Sequence, residues 1–321
     1  MTFINRSNTS DHHCSISNIE YLSESWGDNQ GATRFNYNNL VIRQEAESRT
    51  FWCYMQPVGN PNYTHQMMND ISSMQNSLGD MCKKRANNDK LPFDWFVMAS
   101  STPGIFSFGG DLKHFAERIQ AGDHASIRHY GHVAVEAIHR NTTAFGTPLV
   151  TIALVQGDAL GGGFEHALSF DMIVAERDAK FGLPEILFNM FPGMGAYSFL
   201  SRRVGRQRAE ALIMSGSIHT AEEMHAMGIV DILAEPGQGE KAVRDFIAKT
   251  GRKHNALQAT YQARRRVDPV TLDELRDVVD IWAAAAMNLE APDLRRMNRL
   301  VAAQDRRMAT VRNSLEMMAA E

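Results

Sequence analysis

The chain has little cysteine and little proline: three cysteines and ten prolines in 321 residues. Cys14, Cys53 and Cys82 are odd in number and show no metal-ligand spacing, a pattern that fits a reducing compartment. The N-terminus lacks an apolar signal-peptide core, and no run of ~18 apolar residues occurs anywhere. These absences predict a cytoplasmic protein with no membrane span. Neither sign of charge dominates: 33 basic residues face 37 acidic ones, for a net charge of −4 and a pI near 6.3. Nothing in that balance calls for a nucleic-acid partner. The twelve histidines are scattered, with His12-His13 in a polar tail. No His-x-x-x-His helix with an intervening Glu exists, so no metal or other cofactor is expected. There is also no Gly-x-Ser-x-Gly elbow, which disfavours a serine nucleophile.

What is present is the composition of a globular protein, 44% hydrophobic and 22% charged, long enough for a sizeable core. Residues 1–35 are rich in Ser, Asn, Asp and Thr without a sustained period and read as a loosely docked arm. Alternation from Leu40 to Tyr54, broken at Ala46-Glu47-Ser48-Arg49, predicts a β-hairpin. Met67, Met68, Ile71, Met74, Leu78 and Met81 recur at helical spacing across 63–85. A strand is expected over 93–99, a loop over 106–111, and a helix over 124–145 with Ile127, Val133, Val135 and Ile138 inward. A strand follows Pro148, then a helix over 162–169, then a strand over 172–175. Strands alternating with helices predict a parallel-rich α/β sheet with helices outside. Beyond Ala196 nearly everything reads as helix, apart from a strand end near 228–233.

Two glutamates carry the chemistry. Glu165 closes Gly157-Asp158-Ala159-Leu160-Gly161-Gly162-Gly163-Phe164-Glu165, and Glu185 closes Phe181-Gly182-Leu183-Pro184-Glu185. Paired carboxylates beside exposed backbone N–H groups suit proton transfer at the carbon next to a carbonyl. Three consecutive glycines remove side chains where the backbone must approach something, and the first N–H groups of a helix have no internal partner. Gly162 is therefore a candidate donor to a developing oxyanion, and Gly110 in Phe106-Ser107-Phe108-Gly109-Gly110-Asp111 is a second. Asp111 is placed to cap the next helix. Taken alone, the glycine run favours a tight strand-to-helix turn, and each glutamate is equally well read as part of a helix start.

Their order is more specific. Residues 106–111, 157–165, 181–185 and 192–195 run Phe-Ser-x-Gly-x-Asp, Gly-x-x-x-Gly-Gly-Gly-x-Glu, Phe-Gly-x-Pro-Glu and Pro-Gly-x-Gly. This series resembles the crotonase (enoyl-CoA hydratase/isomerase) superfamily over about residues 37–235. The resemblance implies a ββα spiral core over 36–235 and a C-terminal helical region over 236–321 that covers the pocket and builds oligomers. It further implies that Gly110 and Gly162 form the oxyanion hole and that Glu165 and Glu185 are the acid/base pair. A trimer or hexamer is the assembly it implies.

Within the superfamily, the stretch Pro192 to Arg203, the bulky Phe108, Phe164 before the first glutamate, and the tail from Val279 to Arg307 resemble the diffusible signal factor synthase branch. That branch implies a 3-hydroxyacyl thioester of acyl carrier protein as substrate, its dehydration, and hydrolysis to a free cis-2-unsaturated fatty acid signal. It also implies a sensor kinase partner. Met194, Trp282 and Leu300 fall where the branch lines its acyl pocket, with Phe108 and Phe164 also expected at the substrate and Met190 and Phe191 as further candidates. Arg202, Arg203, Arg206 and Arg208, with Arg264, Arg265 and Arg266, are two basic clusters that could steer an acidic carrier. Two other readings stand beside this one: an enoyl-CoA hydratase of fatty-acid breakdown, and a non-catalytic acyl- or partner-binding protein on the same scaffold.

Overall fold

A computed structural model describes residues 36–84 and 92–320. The N-terminal arm over 1–35, with Cys14 and the His12-His13 pair, lies outside the described residues. The chain enters through the expected hairpin, β1 (Leu40–Glu45) paired antiparallel with β2 (Thr50–Met55). Its turn closes through the Arg49 N–H donating to the Ala46 carbonyl at 3.2 Å. A short β3 (Asn62–Tyr63) leads to α1 (His65–Lys84), which buries Met67, Met68, Ile71, Met74 and Leu78 as their spacing requires.

The next stretch repeats one unit. A strand of a large sheet runs directly into a short strand of a second sheet, and a helix follows. First come β4 (Trp95–Ser100), β5 (Gly104–Ser107), the two-residue β6 (Gly109–Gly110) and α2 (Leu112–Gln120), then α3 (His124–Thr142). Next are β7 (Val150–Val155), β8 (Gly157–Leu160) and α4 (Gly162–Leu168). The third unit has β9 (Met172–Glu176), β10 (Lys180–Gly182) and a 3-10 turn over Pro184–Phe188. Then follow α5 (Ala196–Val204), α6 (Arg206–Ser215), β11 (Ile218–Thr220), α7 (Ala221–Ala226) and β12 (Ile232–Ala234). The tail is helical: α8 (Gly239–Thr250), α9 (His254–Val267), α10 (Leu272–Ala286) and α11 (Ala291–Ala320).

The large sheet has the order β1-β2-β4-β7-β9-β12, parallel except at the first pair. The second has the order β11-β10-β8-β5, and β3 pairs with β6 alone. The fold is thus the expected α/β arrangement of ββα units with a helical tail. Three local expectations need correction. The segment 106–111 is no simple loop, since it holds the end of β5 and all of β6. The approach to α4 is strand β8, and β10 lies just before Pro184. The strand near 228–233 falls at 232–234, and β11 was not anticipated. All of these strands have at most four residues, too short to display an alternation.

Strand side chains alternate between two cores, as period 2 requires. Phe51, Cys53, Phe96, Met98, Ala153 and Val155 point toward α1 and α3, whereas Trp52, Trp95, Val97, Ile152 and Leu154 pack against Val243 and Ile247 of α8. Burying the thiol of Cys53 among these groups raises its pKa far above the ordinary range, so it is an inert core residue. No described helix is long and apolar enough to cross a membrane.

Candidate active site

The second sheet delivers the site. Where β5 lies beside β8, a side chain at Gly157 would bring its Cβ to 2.0 Å from the backbone carbon of Gly104, so only glycine lets the strands meet. Four residues later the chain turns sharply into α4. Gly161 makes that turn at φ +52°, and Gly163 lies against the Ser107 carbonyl, which a Cβ would approach to 2.4 Å. Gly162 is the first helical residue, so its N–H has no carbonyl within α4. A Cβ at Gly162 would lie 3.3 Å from the Gly110 nitrogen. The two candidate oxyanion donors are therefore neighbours, although 52 positions separate them in sequence. Asp111 caps α2 through the His114 N–H at 3.1 Å, as its position suggested.

The glutamates occupy different environments. Glu165 sits in the first turn of α4 and is 1% exposed. Its Oε1 accepts the N–H of Met194 at 2.8 Å and of Ala196 at 3.0 Å, while Oε2 is buried with no hydrogen-bond partner. Those two amides come from the start of α5, where Gly195 at φ +114° bends the chain. Glu185 follows Pro184 at the start of the 3-10 turn, which suits proline's fixed φ. Its Oε1 lies where a Gly161 side chain would collide, at 2.6 Å, and its Oε2 is also buried without a partner. Burial raises the pKa of both carboxyls. The Met194 and Ala196 amides counter part of that rise at Glu165, whereas the charge of Glu165 adds to it at Glu185. The backbone amides thus favour the charged form of Glu165, whereas burial and the neighbouring carboxylate favour the protonated form of Glu185. Behind Glu165, His166 is fully buried and held to the Tyr63 hydroxyl through Nδ1 at 2.6 Å, and burial pushes its pKa down to about 4, leaving a neutral ring.

Both carboxyls and both glycines border one cavity of about 310 Å³. Phe108, Met190, Met194, Trp282 and Leu300 line it as expected. Phe164 and Phe191 do not: Phe164 is buried edge-on against Phe181 with ring centroids 5.3 Å apart. Sequence reasoning missed Leu112, Phe115 and Ile119 of α2, Phe188, Met297, Gln304 and Arg307. The α2 trio was accessible, because the three residues recur at one helical face directly after the oxyanion loop. The arginine clusters are largely structural. Arg202 pairs with Glu274 and Asp268, Arg203 donates to the Phe170 and Ile229 carbonyls, and Arg264 and Arg265 converge on buried Asp171. Arg206, Arg208 and Arg266 alone stay exposed without such roles among the ion pairs of the described residues.

Two buried carboxyls and two neighbouring glycine backbones thus border one cavity. The enoyl-CoA hydratase/isomerase family model matches residues 78–275. A 2,3-dehydroadipyl-CoA hydratase of Escherichia coli (strain K12) is 36% identical over 171 residues, 52% of this chain and 63% of that protein. A Mycobacterium leprae (strain TN) protein named "Probable enoyl-CoA hydratase echA8" is 33% identical over 214 residues, 65% of this chain and 74% of its own length. The fold of an enoyl-CoA hydratase from Bacillus halodurans superposes with a TM-score of 0.67 at 21% identity, over 81% of this chain and 99% of the other. The chain belongs to the enoyl-CoA hydratase/isomerase family, within the crotonase superfamily. It spans less than two thirds of the Escherichia coli relative's length.

Proposed function

We propose that the protein adds water reversibly across the double bond of a 2-enoyl thioester. The observation that carries this reading is the split environment of the two glutamates on one cavity wall. Two backbone N–H groups favour the charged form of Glu165, whereas burial and the charge of Glu165 favour the protonated form of Glu185. In hydration, Glu165 removes a proton from water as its oxygen bonds to the β-carbon, and Glu185 delivers its proton to the α-carbon. The thioester oxygen, negative in between, rests on the Gly110 and Gly162 N–H groups, each worth about 3 kcal/mol of barrier. In dehydration the roles reverse: Glu185 takes the α-proton and Glu165 protonates the leaving hydroxyl. The family membership and the hydratase names of the relatives support this reading. Incubating the pure protein with a short 2-enoyl-CoA and following loss of the conjugated thioester's absorbance tests it. No turnover by intact protein would sink it.

A finer reading is supported by the branch-like motifs and by the apolar cavity closed over by Trp282 of α10 and Leu300 of α11. Here the substrate is a 3-hydroxyacyl thioester on acyl carrier protein, dehydrated and then hydrolysed to a cis-2-unsaturated fatty acid that acts as a signal. Hydrolysis would use water activated by a glutamate, or direct attack by one. The same reading includes a cytoplasmic trimer or hexamer and a sensor kinase partner. Supplying hydroxyacyl substrates on CoA and on carrier protein, then measuring free acid by mass spectrometry, separates the two readings. Hydroxyacyl–enoyl exchange without free acid leaves the hydratase alone.

A further inference from the structure

The amide between Gly109 and Gly110 is flanked by glycines, whose backbones restrain themselves least. Its orientation must come from neighbours. On one side the Gly109 N–H donates to Ser107 Oγ at 3.0 Å, and that hydroxyl donates to the Pro61 carbonyl at 3.0 Å. On the other side the Gly110 carbonyl accepts Asn62 Nδ2 at 3.1 Å. Both anchors lead to the segment Pro61–Asn62, next to Tyr63, whose hydroxyl is tied to His166 beside Glu165. The Asn62 amide has a second N–H, which reaches Gln304 Oε1 on α11 at 3.3 Å. One position further along α11, Asp305 Oδ1 accepts Asn60 Nδ2 at 2.6 Å. Leu300 and Gln304 on that same helix also line the cavity.

We propose that Asn62 is a positioning residue that couples seating of α11 to the orientation of the Gly110 oxyanion donor. Its two N–H groups are divided between the lid helix and the peptide that follows the donor, with no protein group between them. An acyl chain that packs against Leu300 holds α11 down, which holds Gln304 on Asn62 and Asn62 on the Gly110 carbonyl. Binding energy from the remote chain is thereby used at the reacting carbonyl, and a longer acyl chain raises kcat as well as lowering KM. This inference rests on the hydratase reading.

The test compares Asn62→Ala, Gln304→Leu, the double variant and Gln304→Glu with the parent protein on short and long 2-enoyl-CoA substrates. Each single substitution is expected to lower kcat on the long substrate about tenfold, with the double no worse than Asn62→Ala, because coupled residues are not additive. Gln304→Glu keeps an acceptor oxygen for Asn62 and is expected to recover part of the kcat lost in Gln304→Leu. Gln304→Leu sits on a half-exposed helix position and preserves folding even if Asn62→Ala does not. Hydrogen exchange over residues 108–112 is measured in parallel, and faster exchange in Gln304→Leu is expected. Unchanged exchange there, or multiplicative effects on kcat, overturns the coupling. Absence of turnover by the parent protein would instead remove the hydratase reading, and the exchange measurement would still decide the coupling.

Discussion

Glu165 and Glu185 bear the same functional group and differ only in surroundings. Both have folded pKa values above their unfolded ones, so the folded protein holds protons more tightly than the unfolded chain. The sign then follows: the contribution of this pair to stability is greatest at low pH and falls as pH rises from the free carboxylate range through the raised folded value. Glu185→Gln removes a forced ionisation. It should raise the melting temperature at pH 8 and bring little change at pH 4, which differential scanning fluorimetry across pH would read. The same substitution, or Glu165→Gln, should lower hydration kcat by roughly 10²–10⁴ with the fold intact, the usual contribution of a general acid or base. Circular dichroism beside the kinetics would check both halves. The parent's rate should decline on the alkaline side only well above the ordinary carboxylate range, as Glu185 loses its proton.

Elements set where these residues meet, and here the sequence was legible unevenly. Long amphipathic helices showed their period, and β4 and β7 stood out as short apolar runs, so α1, α3, β4 and β7 fell close to their expected places. The two-to-four-residue strands β5, β6, β8 and β10 carry no readable period, yet they bring Gly110, Gly162 and Glu185 to one cavity. Their signature is glycine, which reports a close approach without naming the partner. Phe164 was misplaced for a related reason: adjacent residues on a helix lie about 100° apart, so proximity to Glu165 in sequence turned its ring away from the cavity. The basic clusters misled because charge runs in sequence do not disclose buried acceptors such as Asp171. Gly157→Ala tests the element-scale account. Its Cβ would meet rigid backbone of β5, and overpacking of this kind costs about 1–3 kcal/mol. Chemical denaturation should show a lowered midpoint, accompanied by lost activity.

At the scale of the whole molecule, the tail is packed onto the spiral core by specific fits. Gly131 of α3 admits Val279 of α10, whose Cγ1 would lie 2.5 Å from a Cβ there, and Arg128 and His132 both reach Asp280. Gly131→Leu should push α10 outward. Because Trp282 and Ala286 of α10 wall the cavity, the expected outcome is a higher KM for long-chain substrates, a smaller change for short ones, and a lower melting temperature. Equal effects on all chain lengths would show that α10 does not touch the acyl group.

Gly193 lies directly against Trp282, leaving 2.4 Å between an imagined Cβ and the indole. Met194 and Ala196, just beyond it, supply the amides that oppose the rise in the pKa of Glu165. Refitting the tail to suit another acyl chain therefore cannot be a change of specificity alone. Any graft that moves the tryptophan also moves the scaffold of the carboxylate's counter-dipole, so redesigned tails should be screened for a displaced pH optimum before they are judged poor binders.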